Sequence, residues 1–115
     1  MDYNEIYSKV LNVEPKTRMV TVCDNDGKMV FSKHREGVKN LLTPEESKQS
    51  LEMAVSAWKK RTQLESKIGK GKYVLAEYER IKRITMPLDN DHLLYITTET
   101  DADHNKILTS IMSGG

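Results

Sequence analysis

The spacing of apolar residues switches repeatedly between helical and alternating along this chain. At Tyr3, Ile6, Tyr7, Val10 and Leu11 they recur with the i, i+3, i+4, i+7, i+8 rhythm of a short amphipathic helix. Asp2 stands where an N-cap belongs, Glu5 follows three residues later as in a capping box, and Pro15 closes the segment. From Arg18 to Cys23 the pattern alternates, with Val20 and Val22 on one face and Met19, Thr21 and Cys23 on the other. Asp24-Asn25-Asp26-Gly27 and the return run Lys28 to Ser32 then predict a β-hairpin with Gly27 at a position needing φ > 0. The link KHREGVKNLL, residues 33–42, carries neither rhythm and has the length at which functional loops occur.

Thr43-Pro44-Glu45-Glu46 is a helix start with three signals at once. Thr43 is the N-cap, Pro44 sits at N1 where no N–H is missed, and Glu46 at N3 completes a capping box. The helix is predicted to reach about Ile68 and stop at Gly69. Its apolar stripe is Leu51, Ala54, Val55, Trp58 and Thr62, with Leu64 and Ile68 near the end, and its polar side is Lys48, Glu52, Lys59, Lys60 and Gln63. Lys72 to Tyr78, Ile81 to Leu88 and Leu93 to Thr98 read as strands, the last two joined by the turn Asp89-Asn90-Asp91. Pro87 marks an edge or a strand terminus. Asp103 to Met112 is a final helix with Ile107, Leu108 and Ile111 inward, and Ser113-Gly114-Gly115 is expected to be a disordered tail. The order is α-β-β-α-β-β-β-α. The economical packing is α+β, a five-stranded antiparallel sheet with flanking helices, in one domain spanning 1–112.

Three segments carry a resemblance. The hairpin VTVCDNDGKMVFS, the long helix from Thr43, and the run KRITMPLDNDHLLYITTETDADHNKILTSIM resemble the opening hairpin, central helix and closing strands and helix of the roadblock (dynein-light-chain) superfamily. That superfamily is a branch of the profilin-like folds, and the chain also looks like a small archaeal family of this type. The likeness covers roughly residues 18–112, and the 33–42 link departs from the compact pattern. It implies a non-enzymatic interaction or regulatory module that pairs side by side with its own copy and scaffolds or regulates small GTPases, motors or motility systems. The pairing elements would be the strand Lys72 to Tyr78 and the helix Thr43 to Ile68, with Trp58, Tyr73, Leu75 and Glu77 as candidate interface residues. No catalytic residue and no cofactor is carried over.

Composition narrows the picture. The 115 residues contain one cysteine, Cys23, so no internal disulfide forms, and a reducing compartment is expected. No run of about 18 apolar residues exists, and the start MDYNEIYSKVLNV is unlike a signal peptide. A soluble cytoplasmic protein without membrane insertion is therefore expected. The net charge of +1 conceals an asymmetry. Residues 59–83 carry nine Lys/Arg against three Glu, whereas residues 84–115 carry one Lys against five acids. Such a contrast marks a docking surface, self-complementary association or solvated helix and hairpin faces. The candidate basic face comprises Lys59, Lys60, Arg61, Lys70, Lys72, Arg80, Lys82 and Arg83, with Tyr73 and Tyr78 nearby as stacking platforms for nucleic acid. The sequence pI of about 7.8 is low for a nucleic-acid binder, which ranks that reading below protein docking.

Chemical motifs fare poorly beside their plainer readings. Asp24-x-Asp26 after an apolar strand resembles the catalytic loop of haloacid-dehalogenase-type phosphatases, yet Gly27-Lys28-Met29 supplies no phosphate-binding Thr and the chain turns straight back. As an EF-hand the same stretch puts Met29 and Arg35 where Gly and Glu belong. His34, His92 and His104 lack paired metal spacing, His34-Arg35-Glu36 lacks a nucleophile, and Cys23 reads as a small core residue. Gly69-Lys70-Gly71-Lys72 ends a helix, where anions are repelled. The readings that remain are an interaction module, a small-molecule sensor with its ligand between sheet and helix or in the 33–42 loop, and nucleic-acid binding through 59–83.

Overall fold

Alternation along the strands sorts the apolar side chains onto the two faces of one antiparallel sheet. The structure, a computed structural model, describes residues 2–112. The elements are α1 (Tyr3–Val13), β1 (Thr17–Asp24), β2 (Met29–His34), α2 (Pro44–Thr62), α3 (Glu65–Ile68), β3 (Val74–Glu77), β4 (Lys82–Asp89), β5 (His92–Thr98) and α4 (His104–Met112). The sheet order is β2-β1-β5-β4-β3, every pair antiparallel. The α+β class and the predicted order hold; the expected tail 113–115 lies outside the described residues.

One face carries Val20, Val22, Ile84, Met86, Leu94 and Ile96, which pack with Val10 of α1 and with Ile107 and Leu108 of α4. The other carries Cys23, Leu93 and Tyr95 against Leu51 and Val55 of α2, with Ala54 and Trp58 half-buried beside them. The period of two thus makes a helix–sheet–helix sandwich, as the split of Val20/Val22 from Thr21/Cys23 anticipates.

Local chemistry fixes the connections. The Asp24 carboxylate accepts from the N–H groups of Asp26 at 2.9 Å and Lys28 at 3.0 Å, and Gly27 takes φ +81°. The hairpin is therefore a turn organised by Asp24 and released by a left-handed glycine. At Thr43 both halves of the capping box form, Glu46 N–H to Thr43 Oγ1 at 3.1 Å and Thr43 N–H to Glu46 Oε1 at 2.9 Å.

The helix expected to run to Ile68 breaks after Thr62. The Thr62 hydroxyl donates to the Lys59 carbonyl at 2.6 Å, and the N–H groups of Gln63 and Leu64 bond three residues back, to Lys60 and Arg61. This tightened turn ends α2, and the chain restarts as α3 before Gly69 closes it. Leu64 and Ile68 consequently leave the stripe and face outward.

The 35–43 link is tied down by long-range polar contacts. Arg18 Nη1 lies 3.1 Å from both carboxylate oxygens of Glu99, while its Nη2 donates to the Lys39 carbonyl at 2.8 Å. Arg35 pairs with the same Glu99 at 3.0 Å and also donates to the Pro15 and Thr17 carbonyls. His34 Nε2 meets Asn40 Oδ1 at 3.0 Å.

Candidate interaction face and cavity

β3 is an edge strand, short and paired only with β4 among the described residues. Its outer side offers unpaired N–H and C=O groups. The chain leading into it crosses Trp58: a Cβ on Gly71 would stand 3.4 Å from Trp58 Cζ2. Trp58 packs on the Leu51–Val55–Tyr95 cluster beneath α2. Leu75, in register with Ile84, packs on the opposite core beneath α1 and α4, and Glu77 shares its face. The four residues Trp58, Tyr73, Leu75 and Glu77 are therefore not one patch, because the sheet separates Trp58 from Leu75 and Glu77. Around α2 and β3 the apolar residues left outside are instead Met53 (72% exposed), Leu64, Ile68 (79% exposed), Tyr73 and Tyr78; Met29, Val30, Leu41 and Met112 are exposed elsewhere. Met53 escapes the sequence reading because it sits two residues past Leu51, off the buried stripe; an apolar residue on the polar side was the available signal.

The basic set also divides. Lys59, Lys60 and Arg61 end α2, Lys70 and Lys72 lie on the crossing to β3, and Arg80 lies in the β3–β4 turn; all are exposed. Lys82 is not part of that surface. It shares the face of Ile84 and Met86 and is 4% exposed; its ammonium donates to the Ala102 carbonyl at 2.6 Å and meets His104 Nδ1 at 3.0 Å. Its role is to tie β4 to the start of α4. Arg83, half-buried on the other face, holds its guanidinium over the rings of Tyr78 and Tyr95, 5.3 and 5.5 Å from their centroids.

The remaining candidates are structural in their contacts. The two N–H bonds from Asp26 and Lys28 hold the Asp24 carboxyl below its ordinary range, and Asp26 accompanies it in the turn. The Asp89 carboxyl is lowered by the Asp91 N–H and then by His92, which closes the β4–β5 turn. Burial pushes the Cys23 thiol up, and His34 is engaged by Asn40. No group of three or more His, Cys, Asp or Glu could hold a metal ion among the described residues, and no described helix is long and apolar enough to cross a membrane.

Between the α2 face of the sheet, the start of α2 and the 35–43 link lies a cavity of about 330 Å³. Its floor includes Thr21, Arg83 and Tyr95, and its roof includes Leu42, Ser50 and Leu51. Two hydroxyl pairs border it, Thr21 Oγ1 with Ser32 Oγ at 3.0 Å and Ser50 Oγ with Tyr95 Oη at 2.7 Å. Burial raises the Tyr95 hydroxyl pKa, opposed by the Ser50 bond and the charge of Arg83.

No protein-family model matches the chain, and no curated protein matches it in sequence. Solved structures do match it in shape. A roadblock/LC7 domain from Streptomyces avermitilis superposes with a TM-score of 0.74 at 13% identity, over 98% of this chain and 91% of that one. The chain has the roadblock/LC7 fold. The gliding protein MglB from Thermus thermophilus gives 0.75 at 14% identity, over 93% of this chain and 78% of its own. MglC from Myxococcus xanthus gives 0.65 at 13%, over 98% and 92%. At such identities the likeness is one of fold. Within the roadblock fold of this chain, the strand and helix singled out by resemblance become the edge strand β3 and the shortened helix α2.

Proposed function

We propose that this chain is a non-enzymatic interaction and regulatory module that pairs with a second copy of itself through β3 and α2. The observation that carries the reading is the coincidence of an open edge strand with exposed apolar residues at Met53, Leu64, Ile68, Tyr73 and Tyr78. An exposed edge is a template for another strand. Two copies of β3 related by a two-fold axis extend one sheet into the next, and a self-complementary patch is what such an axis requires. The paired helices α2 then form a composite platform for a further protein, with a small GTPase as the partner class that the roadblock resemblance favours. Lys59, Lys60 and Arg61 give that platform a cationic rim suited to an acidic partner surface.

Light scattering coupled to size exclusion tests the pairing. A dimer that dissociates in the doubly charged variant Met53→Glu/Ile68→Glu, with the helical and strand signal retained, is the expected result. A strict monomer at high micromolar concentration contradicts it. Nucleic-acid binding has less support, since Lys82 is buried and Arg83 is turned to aromatic rings. Absence of salt-dependent retention of duplex or single-stranded DNA at low ionic strength removes it.

A further inference from the structure

The cavity between the sheet and the 35–43 link has a chemical bias. Its lining includes Arg18, Lys39 and Arg83 and contains no Asp or Glu. Arg18 is ion-paired with Glu99, a carboxylate it shares with Arg35. Arg83 has no such partner: no carboxylate among the described residues lies within ion-pair distance, and its Nε is buried without a hydrogen-bond acceptor. The rings of Tyr78 and Tyr95 offset part of its charge. They offer no acceptor comparable to a carboxylate, and a guanidinium left with unused donors is costly at a half-buried site. The buried cation Lys82, by contrast, is satisfied by a carbonyl and an imidazole nitrogen. Arg83 is a half-buried cation without a carboxylate partner among the described residues, and it stands on the wall of a cavity.

The rest of the lining says what kind of anion fits. Met19, Leu42, Leu51 and Ile81 are apolar, while Ser50 and Tyr95 supply hydroxyls. An inorganic anion would leave the apolar wall unmatched, and a plain hydrocarbon would leave Arg83 unpaired.

We propose that this cavity binds a small amphipathic carboxylate, with its head group on Arg83 and its apolar body along Leu42, Leu51 and Met19. A volume of about 330 Å³ is that of a small-molecule site. The planar guanidinium presents parallel donors to the two carboxylate oxygens. The link that roofs the site is fastened by Arg18 to Lys39 and by His34 to Asn40, so the site is formed before the ligand arrives. The site adjoins the exposed apolar patch at Tyr78, on whose ring Arg83 stacks, but the inference does not rest on self-pairing.

The test is a titration of the full ¹⁵N-labelled chain with octanoate, octanol, octylamine and inorganic phosphate, read by amide and Arg83 Nε–H chemical shifts. Octanoate is expected to give saturable shifts at Thr21, Ser50, Arg83 and Tyr95. Octanol is expected to bind about tenfold more weakly or worse, as the loss of a hydrogen bond to a charged group requires. Octylamine and phosphate are expected to leave these signals in place. The variant Arg83→Met is expected to lose the preference for octanoate while keeping its affinity for octanol. If that variant fails to fold, the ranking of the four probes on the unaltered chain decides alone. Octanol or phosphate binding as tightly as octanoate overturns the proposal. So does a lack of saturable shifts, or shifts confined to Met53, Ile68 and the β3 edge.

Discussion

Replacing Glu14 by glutamine removes one negative charge from the point where α1, β1 and α4 meet. Glu14 is 7% exposed. Its Oε1 accepts from the Lys16 N–H at 2.9 Å and its Oε2 from the Asp103 N–H at 2.8 Å, while its own N–H caps α1 by donating to Val10. The Asp103 N–H first, then the Lys16 N–H, hold this carboxyl below its ordinary value of 4.5; burial opposes them, and the charges of Lys106 and Lys16 assist. A hydrogen bond to a charged group contributes about 1.5–3 kcal/mol net. Glutamine keeps one acceptor and turns an NH₂ donor toward the other N–H, so the expected loss at neutral pH is about 2 kcal/mol. For a domain of this size that is roughly 8 °C in melting temperature. Because the folded pKa lies below the unfolded one, this stability is fully present above the unfolded value. It is lost as pH falls through the folded pKa. Urea denaturation followed by circular dichroism, at intervals from about pH 7 to about pH 3, should therefore show a gap between the chain and Glu14→Gln that is full at neutrality and closes on the acid side of 4.5. The carboxyls of Asp24, Asp89 and Asp101, also lowered, titrate in both proteins and cancel in the difference. A gap of constant size across the range, or none at neutrality, contradicts a charged Glu14 held by the Asp103 and Lys16 N–H groups.

Two glycines with the same backbone sign separate torsional strain from crowding. Gly27→Ala and Gly37→Ala both force a side chain to φ near +80°, which costs about 1–2 kcal/mol. At Gly27 the new Cβ also meets Glu52 Cα and Cγ at 3.1 Å, whereas at Gly37 nothing lies within 4 Å, so thermal melts should rank Gly27→Ala clearly below Gly37→Ala; equal effects contradict the close approach of hairpin to α2. The Cys23 thiol, buried and with its pKa raised, should react with a disulfide reagent only once urea unfolds the chain, and rapid labelling of the native protein contradicts its place in the core.

Periodicity makes the sandwich legible in the sequence, because a period of two places Val20 and Val22 opposite Thr21 and Cys23 whatever the neighbours are. Parity also put Lys82 on the face of Ile84 and Met86. What hid its burial was the partner, the Ala102 carbonyl, which belongs to a turn twenty residues on. The break after Thr62 coincides with its hydroxyl bonding the Lys59 carbonyl and with i−3 backbone bonds at Gln63 and Leu64, local contacts invisible to an apolar stripe. The 35–43 link and its cavity were legible only as an irregular stretch. Their geometry depends on Arg18 meeting Glu99 across 81 residues, a contact that no spacing rule encodes. The proposed interface was half legible: β3 and α2 stood out, but which side chains share an outer face depends on the sheet they border.

Hydrogen–deuterium exchange across a dilution series reads the pairing edge itself. If two copies join through β3 and α2, amides of β3 (Val74–Glu77) and the outer face of α2 gain protection as concentration rises, while the other edge, β2 (Met29–His34), exchanges at an unchanged rate. Exchange in β3 that is independent of concentration, or protection that appears in β2 instead, contradicts the account.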